Sequence, residues 1–262
     1  MPKIAILGCG NLGQSIATGL SHSEKFANSA ITLTKRHTAD LANFVEQGMH
    51  VTSDNLEAVR YADIILLALK PYNLPTILKE IASELNPEQK LVSLASGVDL
   101  ATIEALVAHT KVKCFRAMPN TATAVNQGLT VISNTHRGAT AEKEVVALFN
   151  EIGETLVLDE QLLDAVTILG ACGIAYVMRF MRAMVQGGIQ IGFDAQTAAT
   201  IVQHTVLGSA QLLVQNDTHP EQEIDKVTTP KGCTIVGLNE MEHAGFSSAL
   251  IKGIVKSFDS LK

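Results

Sequence analysis

Along the first half of the chain, short apolar runs alternate with stretches of helical period. "KIAIL", Lys3 to Leu7, reads as a strand, and "NLGQSIATGL" after the glycines reads as a helix. "ITLTK" is a second strand, "ADLANFVEQG" a helix, "HVTSD" a short third strand and "NLEAVRYA" another helix. "DIILLAL", Asp63 to Leu69, is an unbroken apolar run of the kind found in a central strand covered on both faces. The helix–strand unit recurs as "NLPTILKEIASEL" with "KLVSLAS" and as "DLATIEALV" with "KCFRAMP". "GLTVIS", "AEKEVVALFNEIG" and "ETLVLDE" close the half near Glu160. Strands separated by helices predict an α/β fold, a doubly wound parallel sheet with its ligand at the carboxyl ends of the strands.

From Gln161 the pattern is helical throughout, so the chain reads as a nucleotide-binding domain at 1–160 and a helical domain at 161–262. "LLDAVTILGACGIAYVMRFMRAMVQGGIQIGF" predicts one long helical stretch ending in a glycine-punctuated turn. Asp194 is placed to cap a second helix, Ala195 to Asn216. "NDTHPEQEIDKV" reads as a polar connection or short helix, and "FSSALIKGIVKSFDSL" as the last helix. Ala195–Asn216 has no formal charge, yet Gln, Thr, Ser and His punctuate it too often for a membrane span. It is expected to be buried by protein, its own chain or a neighbouring subunit, and His204 within it to be a satisfied core residue. Gly170, Ala171, Gly173 and Ala175 would let backbones approach closely. A helical half this apolar is expected to bury its surplus against a second copy.

Composition narrows the picture. Apolar residues make up 47% of 262, but with eight Phe, three Tyr and no Trp the core must be aliphatic. A net charge of -6 disfavours nucleic acid or an anionic membrane as partner. The four cysteines, Cys9, Cys114, Cys172 and Cys233, form no CxxC pair, so reduced thiols are expected and neither zinc nor any other metal is. With the first strand at Lys3, no signal peptide is expected, and the location is read as cytoplasmic.

Two segments carry candidate chemistry. Gly8-Cys9-Gly10-Asn11-Leu12-Gly13 is G-x-G-x-x-G between a strand and a helix, the context that makes it a dinucleotide site. Gly8 permits the turn, Gly10 lets a pyrophosphate approach, Gly13 lets helix and strand pack, and the helix start aims N–H groups at the phosphates. About twenty residues on, where an acid would grip a ribose 2′-hydroxyl, stand Thr34, Lys35 and Arg36. They suit a 2′-phosphate, so NADPH is expected over NADH. The other segment, "TTPKGCT" from Thr228 to Thr234, precedes an apolar helix and forms either an elaborate cap or an anion pocket.

The stretches "GCGNLG", "ADIILLALKP", "SLASGV", "RAMPNTATAV", "LLDAVTILGACGIAY" and "VTTPKGCTIVGLNEME" run the length of the chain. In them the sequence resembles the delta-1-pyrroline-5-carboxylate reductase family, NAD(P)H enzymes that make proline. The resemblance implies a Rossmann-type domain followed by a helical dimerisation domain, with dimers assembling further into rings. It puts the pyrophosphate on Gly8 to Gly13 and the 2′-phosphate near Thr34 and Arg36. Asn55 falls on the adenosine side, and Ala68, Lys70 and Pro71 by the ribose and phosphates. Met118, Pro119, Asn120 and Thr121 match the segment beside the nicotinamide.

The same resemblance makes Thr229, Lys231, Gly232, Cys233 and Thr234 the cradle of the substrate carboxylate, supplied by one subunit to the coenzyme of another. Amides of Lys231 to Thr234 are expected to hold the carboxylate, and Thr234 to hydrogen-bond the ring nitrogen. The chain departs from the family at Gly170–Tyr176, which lacks the usual proline and serines, at Lys231 and Cys233, and at Arg182, commonly acidic. Competing readings are a related imine or β-hydroxyacid reductase and a non-catalytic NADPH-binding regulator. The helix Asp164 to Val185 lacks the lysine that β-hydroxyacid enzymes rely on.

Overall fold

Side chains of the first unit's strands point alternately into two separate cores, which is why those strands read as unbroken apolar runs. In the computed structural model, which describes residues 1–261, the strands are β1 (Ile4–Leu7), β2 (Ile31–Thr34), β3 (His50–Thr52) and β4 (Ile64–Leu67), then β5 (Lys90–Ser93), β6 (Lys113–Met118), β7 (Gly128–Asn134) and β8 (Gly153–Val157). They form one sheet ordered β3-β2-β1-β4-β5-β6-β7-β8. Ile4, Ile6, Ile64 and Leu66 enter one core, with Ile16, Ala17 and Leu20 of helix α1 (Asn11–Leu20) and with Val145, Leu148 and Phe149. Ala5, Leu7, Ile65 and Leu67 enter the other, with Leu74, Leu78, Ile81, Leu100, Ile103 and Val107. Each fully buried Leu or Ile contributes roughly 1.5–3 kcal/mol, so two-sided coverage of the central strands supplies much of the driving force.

The helices between strands are α2 (Ala42–Glu46), α3 (Asn55–Arg60), α4 (Leu74–Ile81), α5 (Leu100–Val107) and α6 (Thr140–Asn150). The first six strands are parallel, as the alternation predicts, but β7 pairs with β6 antiparallel and β8 follows β7. The expected all-parallel sheet is thus corrected at one edge. Between β6 and β7 the chain makes only the short 3₁₀ segment Thr121–Val125, too little for a crossover.

Asn126 fixes this turn: at φ 56°, its amide donates to the carbonyls of Gly19 and Glu151. Gly19 is needed there, because a Cβ would lie 2.2 Å from the Thr123 carbonyl oxygen. Arg116 of β6 is 5% exposed and donates through one Nη to Glu160, whose carboxylate also accepts the Leu100 amide. That pair ties the sheet to the segment leading out of it.

The chain divides into two compact units, Met1–Cys172 and Gly173–Ser260. The expected single helical stretch after 161 is broken into α7 (Leu163–Val166), a π-helical segment at Thr167–Cys172, and α8 (Gly173–Gln190). Leu163 packs with Met118 and Val131, which holds α7 on the first unit. The wider π turn interrupts the path just before Ile174, which stands in α8 where the resemblance expects a proline.

The second unit holds α8, α9 (Ala195–Asn216), α10 (Pro220–Lys226), α11 (Cys233–His243) and α12 (Phe246–Asp259). Asp194 caps α9 as expected, accepting the amides of Gln196 and Thr197 at 3.0 Å. Gly188 allows α8 and α9 to touch, since a Cβ there would sit 3.1 Å from the Ala198 Cβ. The Tyr176 hydroxyl donates to Ser257 on α12 at 2.8 Å. The expected burial of α9 does not occur within one chain: only Ala198 and Val202 are buried, and His204 is exposed instead of packed in a core.

Gly153 offers a test of the packing. At φ 146°, it would place a Cβ 1.9 Å from the Gly128 carbonyl oxygen. Gly153→Ala is expected to destabilise the first unit by about 3 kcal/mol, lowering its thermal midpoint by roughly 6–12 °C in a calorimetric scan.

Candidate active site

The glycine turn is built by close approach. Gly8 has φ 82°, and a Cβ on it would meet the Leu69 side chain at 2.4 Å and the Ala68 carbonyl oxygen at 2.9 Å. Gly13 lies against the Ala68 Cβ, at 3.3 Å from where its own Cβ would stand. Gly10, by contrast, faces open space to 4 Å. The three positions therefore differ as the fingerprint requires: turn, free approach, and helix–strand contact. Gly10 caps α1 without a side-chain bond, and the first-turn amides from Asn11 to Gly13 have no partner among the described residues. Cys9 turns inward, its thiol donating to Ile6 at 3.5 Å, and burial pushes it up to about 12, an inert thiol.

Around this turn opens a cleft of about 1090 Å3, lined among others by Gly8, Gly10, Leu12, Arg36, Asn55 and Lys70. Asn11, Thr34, Ala68 and Pro71 border it too, so most of the expected coenzyme residues converge on one space. Thr34 proves to be a scaffold. It is 2% exposed, its hydroxyl donates to Asn55 at 2.7 Å, and its carbonyl accepts the amides of Gly8 and Cys9. Asn55 in turn donates to Glu80 at 3.1 Å, so the end of β2, the start of α3 and the glycine turn form one network.

Arg36 and Lys70 are exposed on the cleft and, among the described residues, make no ion pair. Lys35 is different: its ammonium lies 2.6 Å from the Asp40 carboxylate, and that contact holds the carboxyl below its usual range. Ser53, Asn73 and Ser96 also line the cleft and were not singled out from the sequence. Ser96 lies within "SLASGV", a stretch that sequence comparison flags without giving a role. The unpartnered amides, the open Gly10 face and two free cations fit a dinucleotide phosphate.

Met118, Pro119 and Asn120 do not line this cleft; they are buried, and Thr121 alone of that segment reaches it. Met118 packs with Val131 and Leu163. Asn120 accepts the Ala122 amide and donates to the Gly170 carbonyl at 3.2 Å, within the π-helical segment. These residues lead into the 3₁₀ turn that begins at Thr121, with Asn120 as its cap.

The segment Thr228–Thr234 forms a tight turn into α11. The Gly232 amide donates to the Thr229 carbonyl at 2.9 Å, with Pro230 and Lys231 at the corners. Lys231 has φ 61°, a conformation that costs a non-glycine residue about 1–2 kcal/mol and explains why glycine is commoner there. Gly232 is needed beside it, because a Cβ would meet the Thr229 hydroxyl at 2.5 Å. With the Gly232 amide committed to Thr229, the expected amide set shifts along the helix to Cys233, Thr234 and Ile235, which no side chain caps. Cys233 is exposed, and Thr234 is half-buried at the helix start.

Known proteins resemble this chain along its length. A family model described as pyrroline-5-carboxylate reductase dimerisation matches residues 160–262, and one described as NADP oxidoreductase, coenzyme F420-dependent, matches residues 3–97. Pyrroline-5-carboxylate reductase 1 of Dictyostelium discoideum is 43% identical over 98% of this chain, which spans 48% of that relative's length. Pyrroline-5-carboxylate reductase 2 of the same organism is 38% identical over 97% of this chain and 90% of the relative. In fold, the chain is similar to the NADP-bound crystal structure of pyrroline carboxylate reductase from Plasmodium falciparum. The TM-score is 0.89 at 24% identity, covering 100% of this chain and 97% of the other. On these grounds the chain belongs to the pyrroline-5-carboxylate reductase family.

Proposed function

We propose that this protein reduces L-1-pyrroline-5-carboxylate to L-proline, the last step of proline biosynthesis, with NADPH as the preferred coenzyme. The observation that carries the reading is the cleft of the first unit, where uncapped α1 amides and the free cations Arg36 and Lys70 surround the open face of Gly10. Gly8, Gly10 and the amides of Asn11 to Gly13 would hold the pyrophosphate, Arg36 a 2′-phosphate, and Lys70 with Asn55 the ribose side. When bound, the reduced nicotinamide supplies the hydride. The protein supplies placement. Uncapped amides of Cys233 to Ile235 orient the substrate carboxylate, and the Thr234 hydroxyl hydrogen-bonds the ring nitrogen. A protonated cyclic imine is already electrophilic, so orientation, which contributes several kcal/mol of barrier lowering, can suffice without a strong general acid.

The second unit supports assembly. Ile201, Leu207, Leu212 and Val214 on α9 and Val177, Met178 and Phe180 on α8 are exposed in the single chain. The stretch Glu160–Gln190 is also long and apolar enough to cross a membrane by length and composition alone. Arg179 and Arg182 lie within it, and it falls inside the dimerisation match. We read its apolar surface as covered by a second copy in a cytoplasmic protein, with dimers joined into a ring.

Three outcomes follow. Thr234→Ala should lower kcat for pyrroline-5-carboxylate about tenfold to a hundredfold while leaving NADPH binding intact, measured by NADPH oxidation and by titration. Unchanged turnover would remove Thr234 from the mechanism. Arg36→Met should raise the KM for NADPH about tenfold and leave that for NADH nearly unchanged; equal effects on both would sink its phosphate role. Leu207→Glu should weaken self-association in sedimentation velocity, and an unaltered sedimentation coefficient would place the contact elsewhere.

A further inference from the structure

We infer that Asp40 is a coenzyme-specificity residue: by pairing with Lys35 it weakens the cleft's hold on a 2′-phosphate and leaves Arg36 to carry that contact. The inference rests on the coenzyme reading above. Lys35 lines the cleft immediately before Arg36, at the end of the strand whose tip faces the adenosine ribose in folds of this kind. Its ammonium is held 2.6 Å from Asp40, with the lysine side chain 25% exposed and the aspartate 56%. The hydrogen bond from Lys35 holds the Asp40 carboxyl below its usual range, and its negative charge offsets that of the ammonium it contacts. Among the described residues, the turn after β2 therefore offers a phosphate one free cation, where the residue types alone suggest two.

A 2′-phosphate carries close to two negative charges, so its binding depends on how many cations can reach it, whereas NADH has no group there to respond. Removing the Asp40 charge should free Lys35 to turn towards the phosphate. The effect should be that of an exposed pair, a factor of about three to five at low ionic strength, and should fade as salt screens it. Asp40 thereby narrows the gap between the two coenzymes.

The test compares adenosine 2′,5′-bisphosphate with 5′-AMP, binding each to the full-length protein by titration calorimetry at low salt. Asp40→Asn should tighten the bisphosphate about threefold to fivefold and leave 5′-AMP unchanged. In a Lys35→Met background, the same substitution should gain less than about twofold. An unchanged ratio of the two affinities overturns the inference. An equal gain with and without Lys35 also overturns it, because the bare charge of Asp40 would then carry the effect. If the unsubstituted protein binds neither ligand, the coenzyme reading itself falls, and the inference with it.

Discussion

Helix α1 can aim its amides at a phosphate only because it starts almost in contact with the end of β4. That contact is steric: Gly8 and Gly13 both press on Ala68, and any side chain at either would collide or push the helix away. Where the two touch, the first-turn N–H groups converge over the open face of Gly10, and the positive end of the helix dipole points at the same place. Thr34 reinforces the arrangement from below, since its carbonyl takes the amides of Gly8 and Cys9 and its hydroxyl reaches Asn55. The anion site is thus a consequence of backbone packing, with side chains deciding which anion is preferred.

That division separates affinity from selectivity. The glycine turn would accept any pyrophosphate, while the loop after β2 would distinguish coenzymes through charges that act only at the rim. Rim charges are solvated and individually weak, so a neutralised Lys35 beside a free Arg36 would shift preference without disturbing the fold. Neighbouring carboxylates matter as much as the cations themselves.

Legibility of these features in the sequence followed their range. The strands of the parallel part were readable because burial on both faces removes polar residues from Ile64–Leu67 and its neighbours. The glycine roles were readable because each is a local steric requirement. The antiparallel turn at β7 was not, since its cause lies in Asn126 bonding Gly19 and Glu151, partners distant in sequence. Nor was the Lys35–Asp40 pair, which depends on a helical turn bringing a carboxylate back to Lys35. Asn120 was recognised by its motif, but its bond to Gly170 shows a residue that shapes the turn from within. The exposure of His204 and most of α9 was hidden for another reason: an uncharged helix reads the same whether its own chain covers it or a second copy does.

A second copy would account for two features of the second unit. Its helices expose apolar side chains on several faces, and the α11 start presents uncapped amides behind a strained Lys231. A lone chain would leave both features costly: apolar surface in water, and a left-handed lysine with nothing gained from it. Association would offset the first cost by burying α8 and α9. A bound carboxylate would offset the second by using the amides that the turn leaves unpaired, so the same unit can serve assembly and substrate binding.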